Sequence, residues 1–295
     1  GAPDERAHAR KVAKAVNAEH TEVSFTESDF WTLLPRVVAV LDDPVADYAV
    51  LPTYKLAEVA RAAGLKVILS GEGGDEILAG YGRYRRAMRP RFLGGRKIHR
   101  RGTLDGFNLL IDSAINGCSD IDTAENSLPK GYSNLQRNQA LDCAEWLPND
   151  LLIKVDRCLM AHGIEGRVPF LDVPFARFAF RLPDHFKVRH GTGKWLVRKW
   201  LENELKESRP FTRKRGFTVP VKKWLATNGR QLGPLVANQS GVAALCKNKP
   251  TQTLFCAEGK REGQAQWVLL FYALWHQIHV LGKAAEGSAF DVLAA

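Results

Sequence analysis

The sequence predicts a layered α/β protein whose parallel sheet is followed by a long, mostly helical part. Three observations support this fold class. Residues 66–70 (KVILS) form a continuous apolar run, as in a strand that is buried on both faces of a sheet. Helical patterns precede this run, and a glycine-rich turn follows it directly. Beyond about Tyr84, leucine, alanine and aromatic residues recur at helical spacing, and β-branched runs are few.

The elements before this strand follow from apolar spacing and from helix-end signals. Residues 4–18 read as a helix with a weak apolar stripe, and residues 21–25 (TEVSF) alternate like a short strand. Ser28 or Asp29 is expected to cap a helix that runs to about Leu41.

The next helix is predicted from Pro52 to Ala63, because proline suits a first turn and Gly64 stands just past the end. Three parts of the chain are therefore expected. Residues 1–84 form a partial α/β core that lacks its first strand, residues 85–285 are mostly helical and pack beside the sheet, and residues 286–295 form a frayed tail.

The net charge of +10 is concentrated in two stretches. Basic clusters suit polyanions, but an isolated charge run is more often a solvated or subunit-facing surface. No zinc-finger, RNA-recognition or helix-turn-helix signature is present, so nucleic acid is not a predicted partner. The first stretch carries Arg83, Arg85, Arg86, Arg89, Arg91, Arg96, Lys97, Arg100 and Arg101, and the second carries Arg209, Arg213, Lys214, Arg215, Lys222 and Lys223.

The cysteine pattern and the apolar runs bear on the compartment. An odd number of irregularly spaced cysteines indicates a reduced, cytoplasmic protein rather than a disulfide framework. The longest apolar stretches are too short to cross a bilayer, and no membrane partner is expected. The five cysteines are Cys118, Cys143, Cys158, Cys246 and Cys256.

The sharpest local feature is SGEGGDE, from Ser70 to Glu76, directly after the predicted strand. Ligands collect beyond the carboxyl ends of parallel strands, and glycines let the backbone approach a ligand. Because Glu72, Asp75 and Glu76 would repel a bare phosphate, the turn suits magnesium bridging to phosphate, or an amine-bearing substrate. A glycine-rich turn with acidic helix-capping residues remains an equal alternative.

Three further blocks carry charges in distinctive settings. The first is KVDRCLMAHGIEGRVPFLD, residues 154–172, whose opposite charges lie among apolar residues and form either a site or a structural ion-pair network. In GKWLVR, Lys194 follows a glycine turn, where a lysine is usually solvated. RKRGF, residues 213–217, is either a phosphate loop or a basic turn. His276 and His279 have a metal-ligand spacing, but their apolar neighbours favour a packed helix.

Taken in order, five segments resemble the synthetase domain of glutamine-dependent asparagine synthetases, over nearly the whole chain. They are DPVADYAVLPTYKLAEVAR, KVILSGEGGDEILAGYGRY, LLIKVDRCLMAHGIEGRVPFLD, GKWLVR and RKRGFTVPVKKWL. The resemblance implies an adenine-nucleotide α-hydrolase-like sheet of the ATP pyrophosphatase type with a helical extension. It also implies a reaction in which ATP and magnesium activate a carboxylate as an acyl-adenylate, pyrophosphate leaves, and ammonia attacks.

The same resemblance implies roles for individual residues. Ser70, Gly71 and Gly73 would lie against the nucleotide, Glu72 near the amino-acid substrate and ammonia, and Asp75 on magnesium. Lys194 would meet the charge that grows as pyrophosphate departs, which suits a compact ammonium on a flexible stem. Lys214, with its neighbours Arg213 and Arg215, would assist pyrophosphate. Glu165, Arg167 and Asp172 would form the frame behind the site.

Two departures from the family pattern shape the expected function. The family opens this domain with a strand and an SGGxDS loop that grips ATP, and it carries a glutaminase domain that begins with a catalytic cysteine; neither occurs in this sequence. The chain is therefore expected to be inactive alone, and to form a homodimer or a complex with the missing N-terminal part. Aspartate is the expected substrate. A β-lactam-synthetase-like or other amidotransferase acting on another small carboxylate, or a non-catalytic partner subunit, remains an alternative.

Overall fold

The structure is a computed structural model that describes residues 6–89, 91–93, 102–112, 119–212 and 219–295. Within these residues the protein is mainly helical, with one small parallel sheet and one short antiparallel hairpin. The predicted combination of a parallel sheet with extensive helices is confirmed at this coarse level. The basic segment 94–101 and the cysteine at position 118 lie outside the described residues.

Three helices precede the sheet: α1 (Arg6–Ala15), α2 (Glu27–Ala39) and α3 (Val50–Ala62). The predicted cap of α2 is wrong by two or three residues. Thr26 is the N-cap, and its hydroxyl and backbone N–H form a reciprocal capping box with Asp29. Residues 21–25 do not form the predicted strand, because no neighbouring strand pairs with them among the described residues.

Strand β1 (Val67–Leu69) pairs in parallel with β2 (Glu165–Arg167), and Ile68 lies opposite Gly166. The strand after α3 is thus confirmed, but the region predicted as mostly helical supplies its partner. The predicted burial of both faces is wrong. Val67 and Leu69 are 43% and 70% exposed, because their side of the sheet has no covering layer among the described residues.

A series of short helices connects β1 to β2 and continues beyond it. The turn after β1 leads directly into the first of these elements. They are α4 (Gly74–Ile77), α5 (Gly82–Ala87), a 3₁₀-helix (Arg91–Leu93), α6 (Ser119–Ser127), α7 (Asn134–Leu141), a π-helix (Asp142–Leu152), α8 (Ile153–Met160), a 3₁₀-helix (Pro169–Leu171), α9 (Val173–Arg181) and α10 (Asp184–Lys187).

A hairpin separates this region from the C-terminal helices. Its strands are β3 (Val188–Arg189) and β4 (Thr192–Gly193), and α11 (Trp195–Glu204) follows after Lys194. The later elements are a 3₁₀-helix (Lys206–Ser208), α12 (Val221–Thr227), α13 (Gly229–Ala237), α14 (Ser240–Leu245), α15 (Asn248–Phe255), α16 (Lys260–Trp275), a π-helix (His276–Val280) and α17 (Ala289–Ala294).

The C-terminal tail differs from the predicted frayed end. Ser288 and Asp291 form a capping box at the start of α17. Val292 and Leu293 are buried in the main hydrophobic cluster. Burial of these side chains stabilises the last helix, which sequence position alone does not reveal.

The main hydrophobic cluster joins the first helices to the last ones. Phe30 of α2 packs with Trp224 of α12 and Trp267 of α16, with ring centroids 5.4 and 6.2 Å away. Residues from both sides of position 84 therefore share one core. No helix within the described ranges is long and apolar enough to cross a membrane.

Candidate functional site

The site is built on the turn that leaves the carboxyl end of β1. The Ser70 N–H donates to the Arg167 carbonyl at 2.8 Å, which extends the strand pairing by one residue. Gly73 has φ +82°, and a Cβ there would lie 2.2 Å from Leu171. This glycine is therefore required both by backbone conformation and by packing. A Cβ at Gly71 would meet no heavy atom within 4 Å, so protein packing alone does not require glycine there.

Glu72 is bound by a buried lysine that the sequence did not identify as part of the site. Lys154 on α8 is 4% exposed, and its Nζ lies 3.2 Å from Glu72 Oε1 and 2.8 Å from Asp47 Oδ2. Burial opposes the charge of Lys154, but the two carboxylates outweigh it and raise the pKa of the ammonium. The arrangement fixes Glu72 Oε1 at the mouth of the turn.

Asp150 in the π-helix binds the loop that carries Asp47, one of the two carboxylates paired with Lys154. Its Oδ1 accepts the N–H groups of Ala46 at 2.9 Å and Asp47 at 3.2 Å. Burial and the nearby Asp47 carboxylate raise the pKa of Asp150 to about 6. The hydrogen bonds hold the loop that presents Asp47 to Lys154.

Asp75 and Lys194 form a second cation–carboxylate pair. Lys194 Nζ lies 3.1 Å from Asp75 Oδ1, and both side chains are about a quarter exposed. Lys194 has φ +54° at the start of α11, and its N–H donates to the Leu78 carbonyl at 3.1 Å. The interpretation of Lys194 as a solvated lysine is therefore wrong, because the hairpin directs its ammonium to the SGEGGDE turn.

The turn and the hairpin approach each other closely at two glycines. A Cβ at Gly80 would lie 1.7 Å from Asp75 Oδ1 and 2.6 Å from Lys194 Cε. A Cβ at Gly193 would lie 2.1 Å from the Ala79 carbonyl oxygen. Both glycines therefore allow the close packing that brings the second ion pair together.

The residues expected to frame the site act through the backbone more than through their side chains. Arg167 accepts a hydrogen bond from Ser70 through its carbonyl, whereas its guanidinium pairs with Glu165 at 2.9 Å on the surface. The side-chain hydrogen bond to Arg167 lowers the pKa of Glu165. Asp172 is exposed at the start of α9, where its carbonyl accepts the Ala176 N–H at 2.8 Å.

Several other predictions fall at or outside the edge of the site. Lys214 lies outside the described residues, together with its neighbours at 213 and 215. His279 Nε2 lies 2.9 Å from the Val38 carbonyl oxygen, as expected for a histidine on a packed helix. Among the described residues, no group of three or more histidine, cysteine or acidic side chains could hold a metal ion.

The first basic stretch divides into an exposed part and a structural part. A groove of about 880 Å³ is lined by Arg85, Arg86 and Arg89 of this stretch, which are exposed. Arg83, in contrast, donates to the buried Asp142 at 2.9 Å and stacks over the Tyr81 ring at 4.4 Å. The solvated-surface interpretation therefore does not hold for Arg83, because a buried carboxylate requires a partner.

The residue types in this site fit magnesium and phosphate. Mg²⁺ is usually held by one or two carboxylates together with substrate phosphates, so a cage of three protein ligands is not needed. Asp75 offers such a carboxylate at the carboxyl end of β1, and Lys194 places a positive charge beside it. Glu72, held by Lys154, offers a second oriented carboxylate.

Two signals in the sequence pointed toward the residues that were missed. Lys154 stands in an apolar window, where a charge requires a partner, and Asp47 lies in one of the five segments quoted above. Neither signal says that the two side chains meet, because α8 and the loop before α3 are about a hundred residues apart in sequence.

Comparisons with known proteins show which family the whole chain resembles. Residues 1–277 match the family described as Asparagine synthase. "Asparagine synthetase [glutamine-hydrolyzing] 1" of Bacillus subtilis (strain 168) is 27% identical over 92% of this chain and 50% of its own length. "Putative asparagine synthetase [glutamine-hydrolyzing]" of Mycobacterium tuberculosis (strain ATCC 25618 / H37Rv) is 30% identical over 91% of this chain and 48% of its own length. The chain thus spans about half the length of these curated relatives.

Proposed function

Because the chain belongs to the asparagine synthase family, we propose that it is the greater part of a synthetase domain that joins ammonia to a carboxylate with ATP. The observation that supports this most is the pair of ion-paired clusters beyond the carboxyl end of β1, with Glu72 bound by Lys154 and Asp75 bound by Lys194. In parallel α/β sheets, this edge is where nucleotides and their substrates bind.

In the proposed reaction, an oxygen of the substrate carboxylate attacks the α-phosphorus of ATP. The bond from that phosphorus to the bridging oxygen breaks, and pyrophosphate leaves with the electron pair. Lys194 stabilises the negative charge that grows on this oxygen, because its ammonium lies at the turn that would face the phosphates. Mg²⁺, when bound, supplies positive charge to the phosphates, and Asp75 would hold it.

In the second step, the ammonia nitrogen attacks the acyl carbon, AMP leaves, and the nitrogen loses a proton. We assign Glu72 to the side where ammonia arrives, with its carboxylate available as the proton acceptor. Lys154 contributes by holding Oε1 in one position, so that the carboxylate is oriented before ammonia binds. Ser70, Gly71 and Gly73 provide the backbone surface against which the nucleotide lies.

Family membership and the unpaired edge of β1 support further proposals about fold, substrate, location and partner. We propose an adenine-nucleotide α-hydrolase-like fold, aspartate as the carboxylate, ammonia supplied by a glutaminase domain, and a cytoplasmic location. Strand β1 pairs on one side only among the described residues, so its other edge presents unpaired backbone groups. We therefore propose that this edge pairs with a further strand, from an N-terminal part of the enzyme or from a second copy.

The test compares the 295-residue chain alone with the same chain joined to an N-terminal half that contains an SGGxDS loop. We expect no aspartate-dependent release of pyrophosphate by the chain alone, and release by the joined protein with ATP, Mg²⁺ and ammonia. Release only with another carboxylate would identify a related amide-forming enzyme. Release by the chain alone would contradict its dependence on the N-terminal part. A folded joined protein that releases none with any carboxylate in a panel would indicate a non-catalytic subunit.

A further inference from the structure

Lys187 is a buried cation away from the two ion-paired clusters described above. It is 1% exposed at the end of α10, and its Nζ donates to Gln139 Oε1 at 3.0 Å and to the Phe180 carbonyl at 2.7 Å. Both acceptors are neutral. Burial of an ammonium against neutral acceptors is unfavourable, and it lowers the pKa of Lys187 to about 8, although Asp184 and Cys143 act in the opposite direction.

The ammonium fixes which way the Gln139 amide points. Lysine can only donate hydrogen bonds, so Gln139 must turn its oxygen toward Lys187. Its Nε2 then faces the opposite way and donates to the Glu76 carbonyl at 2.5 Å and the Ile77 carbonyl at 2.7 Å. Gln139 is fully buried, so water cannot replace these hydrogen bonds without a rearrangement.

The two carbonyls belong to the helical turn that carries Asp75. Within this turn, the Ile77 N–H donates to the Gly73 carbonyl at 2.9 Å and the Gly80 N–H donates to the Asp75 carbonyl at 2.7 Å. A side chain that holds the Glu76 and Ile77 carbonyls therefore holds the segment from which the Asp75 carboxylate projects.

Lys187 is also the residue from which the hairpin starts. Strand β3 begins at the next position, and β4 ends at Gly193, immediately before Lys194. At that end, the Lys194 N–H donates to the Leu78 carbonyl. The SGEGGDE turn and the hairpin are thus joined twice, once through backbone at Lys194 and once through the Lys187 and Gln139 side chains.

Packing alone does not account for a lysine at this position. A methionine would fill a similar volume without the cost of burying an ammonium. We propose that Lys187 and Gln139 are a positioning pair, which holds the turn carrying Glu72 and Asp75 and the hairpin carrying Lys194 in the arrangement that amide formation requires. The catalytic part of this inference rests on the proposed function, whereas the holding of the two segments does not.

The test uses Lys187→Met, Gln139→Met and the double variant, with Gln266→Met as the matched control. Gln266 is also a buried amide whose Nε2 donates to two backbone carbonyls, those of Leu254 and Ala257, but it lies in the C-terminal helices. Amide hydrogen exchange is measured in the 295-residue chain over residues 71–81 and 188–194. Thermal unfolding is measured in the same chain, and turnover in the protein joined to its N-terminal half.

We expect exchange in both segments to accelerate about tenfold in each single variant, the size expected from losing a buried hydrogen bond. The double variant should add little, because the two residues act as one unit. Turnover should fall at least as much while the unfolding temperature of Lys187→Met stays close to that of the wild type. Gln266→Met should leave exchange in these segments and turnover unchanged.

Unchanged exchange in both segments would overturn the proposal, and so would faster exchange with turnover within a factor of about two of wild type. If Lys187→Met does not fold, Gln139→Met decides the question, since it removes the hydrogen bond between the two side chains and both hydrogen bonds to the turn, while Lys187 keeps the Phe180 carbonyl as an acceptor. If the wild type has no turnover, the proposed function fails, while the exchange result still decides whether the pair holds the two segments.

Discussion

Gly80→Ala tests the geometry of the Asp75–Lys194 pair with a single methyl group. Gly80 does not have a positive φ, so its backbone accepts alanine. The added carbon would lie 1.7 Å from Asp75 Oδ1 and 2.6 Å from Lys194 Cε. Since an ordinary contact needs about 3.5 Å, the Asp75 carboxylate must move by roughly 1.5 to 2 Å, away from the ammonium or together with it.

The expected cost in stability is small. Both side chains are about a quarter exposed, so the ion pair contributes at most about 1 kcal/mol, and an off-rotamer side chain adds about 1 kcal/mol. The free energy of unfolding should therefore fall by about 1–2 kcal/mol. For a chain of this length, that corresponds to a decrease of roughly 1.5–3 °C in the unfolding temperature.

The expected cost in activity is much larger. A misplacement of about 1 Å in a catalytic group can lower the rate roughly a hundredfold, and here both Asp75 and Lys194 are affected. Turnover is measured as pyrophosphate release by the protein joined to its N-terminal half, and unfolding by calorimetry on the chain. Gly131→Ala is the control, because a Cβ there meets no atom within 4 Å and its φ is not positive.

A Gly80→Ala protein with turnover within a factor of about two of the Gly131→Ala control would refute the reasoning. It would mean either that the pair tolerates displacement or that it does not serve the reaction. A fall in unfolding temperature far beyond the control, without folded protein at the assay temperature, would instead show that the turn is a major determinant of stability.

Three further predictions concern the lysines. Lys194→Ala should lower turnover about a hundredfold with little change in substrate affinity, and Lys194→Arg should recover part of the lost turnover. If the steady-state rate of Lys194→Ala stays within about twofold of wild type, the role of Lys194 in the departure of pyrophosphate is wrongly assigned. Lys154→Met should lower the free energy of unfolding by about 1–3 kcal/mol, because Glu72 and Asp47 lose their shared cation but are partly exposed; an unchanged urea midpoint would contradict this. The pKa of Lys187 is about 8 in the folded chain and near 10.4 in the unfolded chain, so between these pH values the unfolded chain binds more protons than the folded one. The free energy of unfolding of wild type, measured relative to Lys187→Met, should therefore rise by up to about 3 kcal/mol from about pH 8 to 10.4. A difference between the two proteins that does not change with pH would refute the lowered pKa.

Much of the site could be located from the sequence because its chemistry is local. The SGEGGDE turn follows directly from a short apolar strand, and Glu72 and Asp75 lie within six residues of that strand's end. The glycine turn before Lys194 is equally plain in the sequence. Such features depend on neighbours along the chain, and therefore they can be recognised from the sequence alone.

The partners of these residues could not be predicted in the same way. Lys154 meets Glu72 and Asp47, and Lys194 meets Asp75, over separations of about eighty to a hundred and twenty residues. Apolar patterning indicates that a charge in such a window needs a counter-charge, but it does not say which one.

The first three helices, the strand after α3 and the mixed α/β character were determined by the sequence itself, through periodicity, prolines and glycines acting over a few residues. The tertiary structure decided what was exposed, what was paired and what was ordered. It left Leu69 exposed, brought β2 from the distant segment at 165–167 to pair with β1, and packed α17 into the core. The physical reason is that burial and ion pairing depend on which surfaces meet, and that is a property of the whole folded chain.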